Sequence, residues 1–326
     1  MSDTDDTDPN RQADLSRQAI DQVAVTSALG AVVAVHSRIA DNALTASLLG
    51  TERGGHGVVF REDGLIVTIG YLITEAESVF VVTASGQTLP AHVVAYDQET
   101  GFGVVQALGR LDAPHVEVGS SADLQVGDPV VMAGYGGRSD CVLQKVIAKR
   151  EFAGYWEYLL DEAIFTAPPH QNWGGTGLID RHGKLVGIGS LFVQHVGRGG
   201  NTNDANMVVP IDLIKPILDD LLMYGRVQKP PRPWLGMITV EHQAGLVVAS
   251  TVDGGPASKS DIEVGDIVAE VAGQPVRELA SMFRLVWGLG EAGVEVPLTV
   301  IREGEHVDVY VNSADRNALL AAPQVH

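Results

Sequence analysis

Nucleophilic attack on a peptide bond needs a hydroxyl or thiol, an imidazole to take its proton, and a carboxylate to hold the imidazole in the right tautomer. The loop best suited to display such a nucleophile is His170–Gly177, which reads HQNWGGTG. A histidine opens it, Trp173 stands before the pair Gly174 and Gly175, and Thr176 is its one hydroxyl. The loop holds no serine, and the chain has no G-x-S-x-G elbow. A second imidazole, His56, lies in the glycine-rich run Gly54–Gly57. A relocated Ser–His pair stays open on sequence alone. The plainer reading takes His56 and His170 as ordinary loop histidines.

Other chemistries find little support. The 10 histidines show neither H-x-x-x-H nor H-E-x-x-H spacing, and a single cysteine offers no C-x-x-C, so neither metal nor other cofactor is expected. That cysteine, Cys141, sits between Asp140 and Val142 with no base beside it and reads as a quiet strand residue. The runs GYGGRSD and GRGGNTND do not match G-x-x-x-x-G-K-[ST] and read as long barrel loops rather than phosphate cradles. A formal net charge of −19 argues against nucleic acid and anionic lipid as partners, since their phosphates would meet an opposing field. No run reaches the roughly 18 apolar residues of a membrane span, so membrane insertion is not expected. The acidic start MSDTDDTDPNRQAD lacks the pattern of a secretory signal, which points to a cytoplasmic protein.

The elements that would position a site are mostly strands. Residues 1–20 read as a disordered acidic tail. From about Ala24 short β-rich runs follow one another. GVVFREDGLIVTIGYLI is a hairpin turning at Asp63-Gly64, and SVFVVTASGQTLPAHVVAYD is another around Ser-Gly-Gln. This texture predicts a mostly β fold, a sandwich or barrel. The first good helix is expected only at Ile211–Met223, ended by Gly225, with Pro216 near its first turn. A proline-rich linker over 227–232 separates domain 21–226 from a second one over 233–314, and 315–326 reads as a loose tail. The second domain should contain strands, a helix over Ser281–Gly288 with Ser281 as a possible cap, and a closing hairpin in which Val307, Val309 and Val311 point inward.

Several segments, in order, resemble the HtrA (Deg) family of serine proteases. Gly55-His56-Gly57-Val58-Val59 and Asp63–Thr68 are similar to its first hairpins. VVPIDLIKPILDDLLMYGRV and WLGM are similar to its join between protease and PDZ domain. DGGPASKSDIEVGDIVAEVAGQPV is similar to its PDZ core. The resemblance covers residues 25–312 and implies a trypsin-like double β-barrel followed by an α+β PDZ domain. It also implies where the triad should lie, and there the chain departs. Tyr71 stands at the histidine position, Gly101 at the aspartate and Trp173 at the serine. In the oxyanion loop, Gln171 replaces the family's glycine, with Asn172, Gly174 and Gly175 around the substituted serine. A phenol with an ordinary pKa of about 10, a glycine and an indole N–H cannot run the relay.

The resemblance further implies a peptide site. Trp234, Leu235, Gly236 and Met237 occupy the loop whose backbone N–H groups receive a peptide's C-terminal carboxylate, the peptide adding as a strand. Met282 and Val286 are the candidate groove residues of the facing helix. Family members form trimers through aromatic residues near the start of the protease domain. Here none occurs before Phe60, which leaves Val33 and Leu48 as aliphatic substitutes. The expectation is a non-catalytic HtrA-like pseudoprotease, a peptide- or protein-binding adaptor, scaffold or regulator. It would bind protein or peptide C-termini and could form a homo-oligomer or a hetero-oligomer with an active relative. The alternatives are a serine endopeptidase with a relocated or rebuilt site, and a structural partner subunit of an active HtrA protease.

Overall fold

The computed structural model describes residues 23–196 and 202–321. The expected tail over 1–20 and the Gly-Arg-Gly-Gly segment 197–200 lie outside the described residues. Alternating apolar runs separated by glycine turns close into two six-stranded antiparallel barrels. The first contains β1 (Val32–Ile39), β2 (Glu52–Val59), β3 (Leu65–Ile69), β4 (Ala76–Val82), β5 (Thr88–Tyr96) and β6 (Phe102–Ala107), in the order β1-β2-β3-β6-β5-β4. The second contains β7 (Pro129–Ala133), β8 (Cys141–Gly154), β9 (Tyr158–Ala167), β10 (Gly177–Ile179), β11 (Leu185–Val196) and β12 (Thr202–Pro210), in the order β10-β11-β12-β9-β8-β7. Closure pairs the first and last strand of each six-stranded sheet with each other.

A third sheet is open. It has the order β13 (Met237–His242), β14 (Gly245–Thr251), β15 (Ile267–Val271), β17 (Glu295–Arg302) and β18 (Glu305–Asn312), with the two-residue β16 (Gln274–Pro275) on β15. Its own core includes Leu235, Met237, Leu246, Val268, Phe283, Val300 and Val311. Strand β13 is an edge, so it carries unpaired backbone groups on one side.

The structure revises several local expectations. A helix, α1 (Val23–Gly30), precedes β1, burying Val25, Ala28 and Leu29 at helical spacing where β texture was expected. The expected Ile211–Met223 helix is a single turn, Ile211–Leu213, followed by α2 (Leu218–Tyr224). Pro216 lies between them because it cannot donate to the preceding turn. Gly225 ends α2 in the left-handed conformation, φ 70°. Helix α3 spans Leu279–Gly288, so Ser281 is inside it rather than at its cap, and its hydroxyl donates to the Glu278 carbonyl. The described part of the C-terminal segment is not loose. Leu320 is buried, and the Ala321 N–H donates to Glu75 Oε1 at 3.0 Å. Val33 is fully buried in the first barrel and unavailable to a partner, whereas Leu48 is 61% exposed.

One feature positions both candidate sites. Strands β8 and β9 run on past the barrel: β12 pairs β9 only at Ile164–Thr166, while the β8–β9 ladder continues to Gly154↔Tyr158. The turn Tyr155-Trp156-Glu157 at its tip projects against the third sheet. Stacked and edge-on contacts among Phe152, Tyr155, Trp156 and Tyr158, with centroids 4.8 to 6.4 Å apart, stiffen it.

Candidate functional site

The cleft between the barrels brings together Tyr71 and Trp173, two of the residues that the resemblance puts at triad positions. Tyr71 lies in the short turn after β3, and Trp173 in the loop before β10. The Tyr71 hydroxyl donates to the Ser190 carbonyl at 2.9 Å and accepts from the Trp173 indole. Burial pushes the phenol well above its ordinary pKa. It is therefore a neutral hydrogen-bonding group at any physiological pH, not a base. The Trp173 ring packs against Phe192 with centroids 5.6 Å apart. Half-buried, the indole lies in the cleft, not out on the surface.

The third position is closed sterically. Gly101 has φ +83°, and a Cβ there would lie 2.9 Å from the Tyr158 hydroxyl, which donates to the neighbouring Thr100 carbonyl at 2.7 Å. A carboxylate at 101 thus faces both an unfavourable backbone region and an occupied space.

The loop around Trp173 is tightly bonded. Gly174 accepts from the His56 N–H at 2.8 Å, and the Gly175 N–H donates to Gly189 at 2.9 Å. The Asn172 N–H donates to His170 Nδ1 at 3.1 Å, which ties the start of the loop to that imidazole. Gln171 and Asn172 are exposed.

The two sequence-flagged histidines are buried, not in open loops. His56 is in β2 and accepts from the Tyr135 N–H through Nδ1 at 2.9 Å; burial lowers its pKa. His170 Nε2 lies 3.4 Å from Asp140 Oδ1, and the two rings meet edge-on at 6.3 Å. Among the described residues, no Ser, Thr or Tyr hydroxyl bonds either ring. Thr176 gives its hydroxyl to the Trp173 carbonyl at 2.8 Å. Burial, then Asp140, push the Cys141 thiol up, away from a reactive thiolate.

The second candidate site is the groove beside β13. Trp234, Leu235 and Met237 are buried, and Gly236 adopts φ +69°, which turns successive amides to one side. The Glu157 carboxylate accepts from Leu235 N–H at 3.1 Å and from Gly236 N–H at 2.8 Å. Two residues earlier, the Tyr155 carbonyl accepts from the Thr239 N–H of β13 at 3.3 Å. Burial pushes Glu157 up to about 7, against the opposing pull of the amides and of Arg316. Arg316 lies over the Trp234 ring at 5.9 Å and donates to the Trp156 carbonyl at 3.3 Å. Met282 and Val286 are each 1% exposed, in the core against which Ala153 and Leu159 of the hairpin pack.

Glu157, Tyr155, Tyr158 and Arg316 were not singled out from sequence. The signal was there: Gly154-Tyr155-Trp156-Glu157 separates two β-rich runs and reads as a hairpin turn.

Comparison with known proteins accounts for this architecture. Residues 55–188 match the trypsin-like peptidase domain family, and residues 233–312 match the PDZ domain family. A probable periplasmic serine endoprotease, DegP-like, from Pseudomonas fluorescens is 29% identical over 268 residues, covering 78% of this chain and 55% of that protein. Its counterpart from Halomonas elongata is 28% identical over 286 residues, covering 80% and 56%. The chain thus spans about half the length of the curated relatives it matches. Among solved structures, the HtrA-type protease AlgW with a decapeptide is 20% identical, with TM-score 0.53 over 90% of this chain and 98% of that one. The serine endoprotease from Yersinia pestis is 24% identical, with TM-score 0.50 over 90% and 96%.

These relatives correct two expectations. They are named periplasmic, which overturns the cytoplasmic assignment. They are named serine endoproteases, which overturns the reading as a non-catalytic adaptor, scaffold or regulator and favours its alternatives. A trypsin-like double barrel joined to a PDZ domain, with DegP-like relatives along most of its length, places this chain in the HtrA family.

Proposed function

We propose that this chain takes part in HtrA-type proteolysis as a peptide-binding subunit. Its PDZ groove receives the C-terminal segments of protein substrates, and an active relative in a mixed assembly supplies the hydrolytic centre. The observation that carries this reading is the pair of amides at Leu235 and Gly236 converging on one carboxylate. The relatives' names support the proteolytic setting. The residues in the cleft support a partner as the source of chemistry. In subtilisin, loss of the serine or histidine alone costs about 10⁶ in turnover. The resemblance puts Tyr71, Gly101 and Trp173 at the relay positions, where a neutral phenol, a glycine and an indole N–H cannot pass a proton to and from a nucleophile. The same names lead us to propose the periplasm as the compartment, which cell fractionation checks.

The test uses denatured casein and a serine-directed fluorophosphonate probe, on the chain alone and with an active HtrA endoprotease of its organism. The expected result is no labelling and no cleavage by the chain alone, with co-elution of the two proteins on size-exclusion chromatography. Labelling of the chain alone, with cleavage abolished by His170→Ala, would instead establish a rebuilt site. That second reading is favoured by the His170–Asp140 contact beside the substituted nucleophile, an imidazole–carboxylate pair awaiting a hydroxyl.

A further inference from the structure

The groove assigned above to substrate C-termini is filled by the chain itself. A peptide bound in such a groove places a carboxylate on the loop amides and adds its backbone to the sheet edge. The β8–β9 turn meets both requirements. The Glu157 carboxylate is on the Leu235 and Gly236 amides, and Tyr155, two residues back, accepts from Thr239 on β13. The fit extends along the hairpin. Arg284 on α3 reaches Glu151 at 2.5 Å and Asp161 at 2.7 Å, one on each strand. Ala153 and Leu159 cover the core behind the groove. Glu157 also has φ +60°, a backbone region disfavoured for a side-chain-bearing residue, so holding the carboxylate there works against local preference.

We infer that the β8–β9 turn is an internal ligand of the PDZ groove, with the Glu157 side chain standing where a substrate's terminal carboxylate would bind. The inference rests on the peptide-binding reading and adds its control: an incoming C-terminus must displace the hairpin. The displacing partner is a peptide with a free terminal carboxylate and at least the preceding two residues extended. A side-chain carboxylate in a turn is a poorer match than a chain terminus, because the turn forbids further strand pairing along β13. The contact is therefore exchangeable. Displacement would also pull on Tyr158, the next residue, whose hydroxyl closes the Gly101 corner of the cleft.

The test measures both occupancy and binding in the full chain. Amide hydrogen exchange at Leu235, Gly236 and Thr239 is read for wild type, Glu157→Ala, Glu157→Gln and Arg284→Ala, with circular dichroism as the fold check. A fluorescein-labelled decapeptide ending in valine is titrated as the free acid and as the terminal amide. The expected result is faster exchange at these amides in Glu157→Ala. Affinity for the free acid should rise about tenfold, since the competent fraction of the groove rises, and the amide should gain nothing. Arg284→Ala, which touches neither loop nor turn, should give a smaller change in the same direction. Unchanged exchange in both Glu157 variants would overturn the internal ligand. Faster exchange without peptide binding in any variant would leave the internal ligand standing and sink the peptide-binding reading instead.

Discussion

The inter-barrel cleft and the PDZ groove are both closed from within, by adjacent residues of one turn, yet the two closures differ in kind. In the cleft, Tyr158 caps the Gly101 corner while Tyr71 and Trp173 bond to each other and to Ser190. Removing any of these leaves a hole or an unpaired polar group. In the groove, Glu157 imitates the ligand that the loop is shaped to bind. On the proposed reading, removing it frees the loop amides for a peptide. A buried site can thus be lost by being filled with structure, or held in reserve by being filled with a substitute, and hydrogen-bond geometry distinguishes the two.

The strongest way to break this comparison is to try to reopen the cleft. The triple variant Tyr71→His, Gly101→Asp, Trp173→Ser should stay at least about 10³-fold below an active relative in kcat/KM on casein. Its aspartate must enter at φ +83° against Tyr158, and the Asn172 amide remains bonded to His170. Full activity would mean that the cleft, like the groove, was only held in reserve. A second, smaller effect concerns the nucleophile loop itself. At Gly175, φ is +79° and a Cβ would lie 1.9 Å from the His56 carbonyl. Gly175→Ala should therefore cost more than about 3 kcal/mol in chemical denaturation. A loss under 1 kcal/mol would show that this loop yields as readily as the hairpin is expected to. Smaller again, Tyr71→Phe leaves the Ser190 carbonyl and the Trp173 indole without the phenol and should cost about 1–3 kcal/mol. Peptide affinity should not change. A change there would couple the cleft to the groove through Tyr158.

Much of this was legible in the sequence, and the part that was not has a common cause. The barrels, the Asp63-Gly64 turn and the PDZ core follow from period-2 runs and glycine punctuation, both local signals. The substitutions at 71, 101 and 173 are visible because position in a familiar pattern carries them. Their consequences are not. That a Cβ at 101 meets Tyr158, or that Tyr71 bonds Trp173, depends on contacts across a fold, between residues far apart in the chain. His56 reads as a loop histidine because glycines flank it, and His170 because it opens a glycine-bearing loop, whereas the closing of β2 against the Gly174 loop buries both. Glu157 is the extreme case. An acidic residue at a hairpin tip is ordinary, and only the projection of β8–β9 beyond the barrel brings it to the loop amides.

The finest test of the comparison is pH, because burial pushes Glu157 in the groove into the neutral range and Tyr71 in the cleft out of it. Glu157 is pushed from an ordinary value of 4.5 to about 7, chiefly by burial, with the Leu235, Gly236 and Met237 amides and Arg316 pulling the other way. The docked turn therefore binds a proton more tightly than the released turn. Its contribution to docking is full below pH 4.5 and is lost as pH rises through about 7, above which docking is constant. Between pH 5 and pH 8, exchange at the Leu235 and Gly236 amides, corrected for intrinsic rates, should increase by up to about 10²-fold as the hairpin loosens. Exchange at Gly175 and Gly189 in the cleft should not follow that rise, since Tyr71 stays neutral throughout and Glu157 does not touch them. Slower exchange at Leu235 on raising the pH would mean that attraction between the ionised carboxylate and Arg316 outweighs desolvation. The hairpin would then be a latch that tightens in base, and release by a competing C-terminus would be favoured in acid instead.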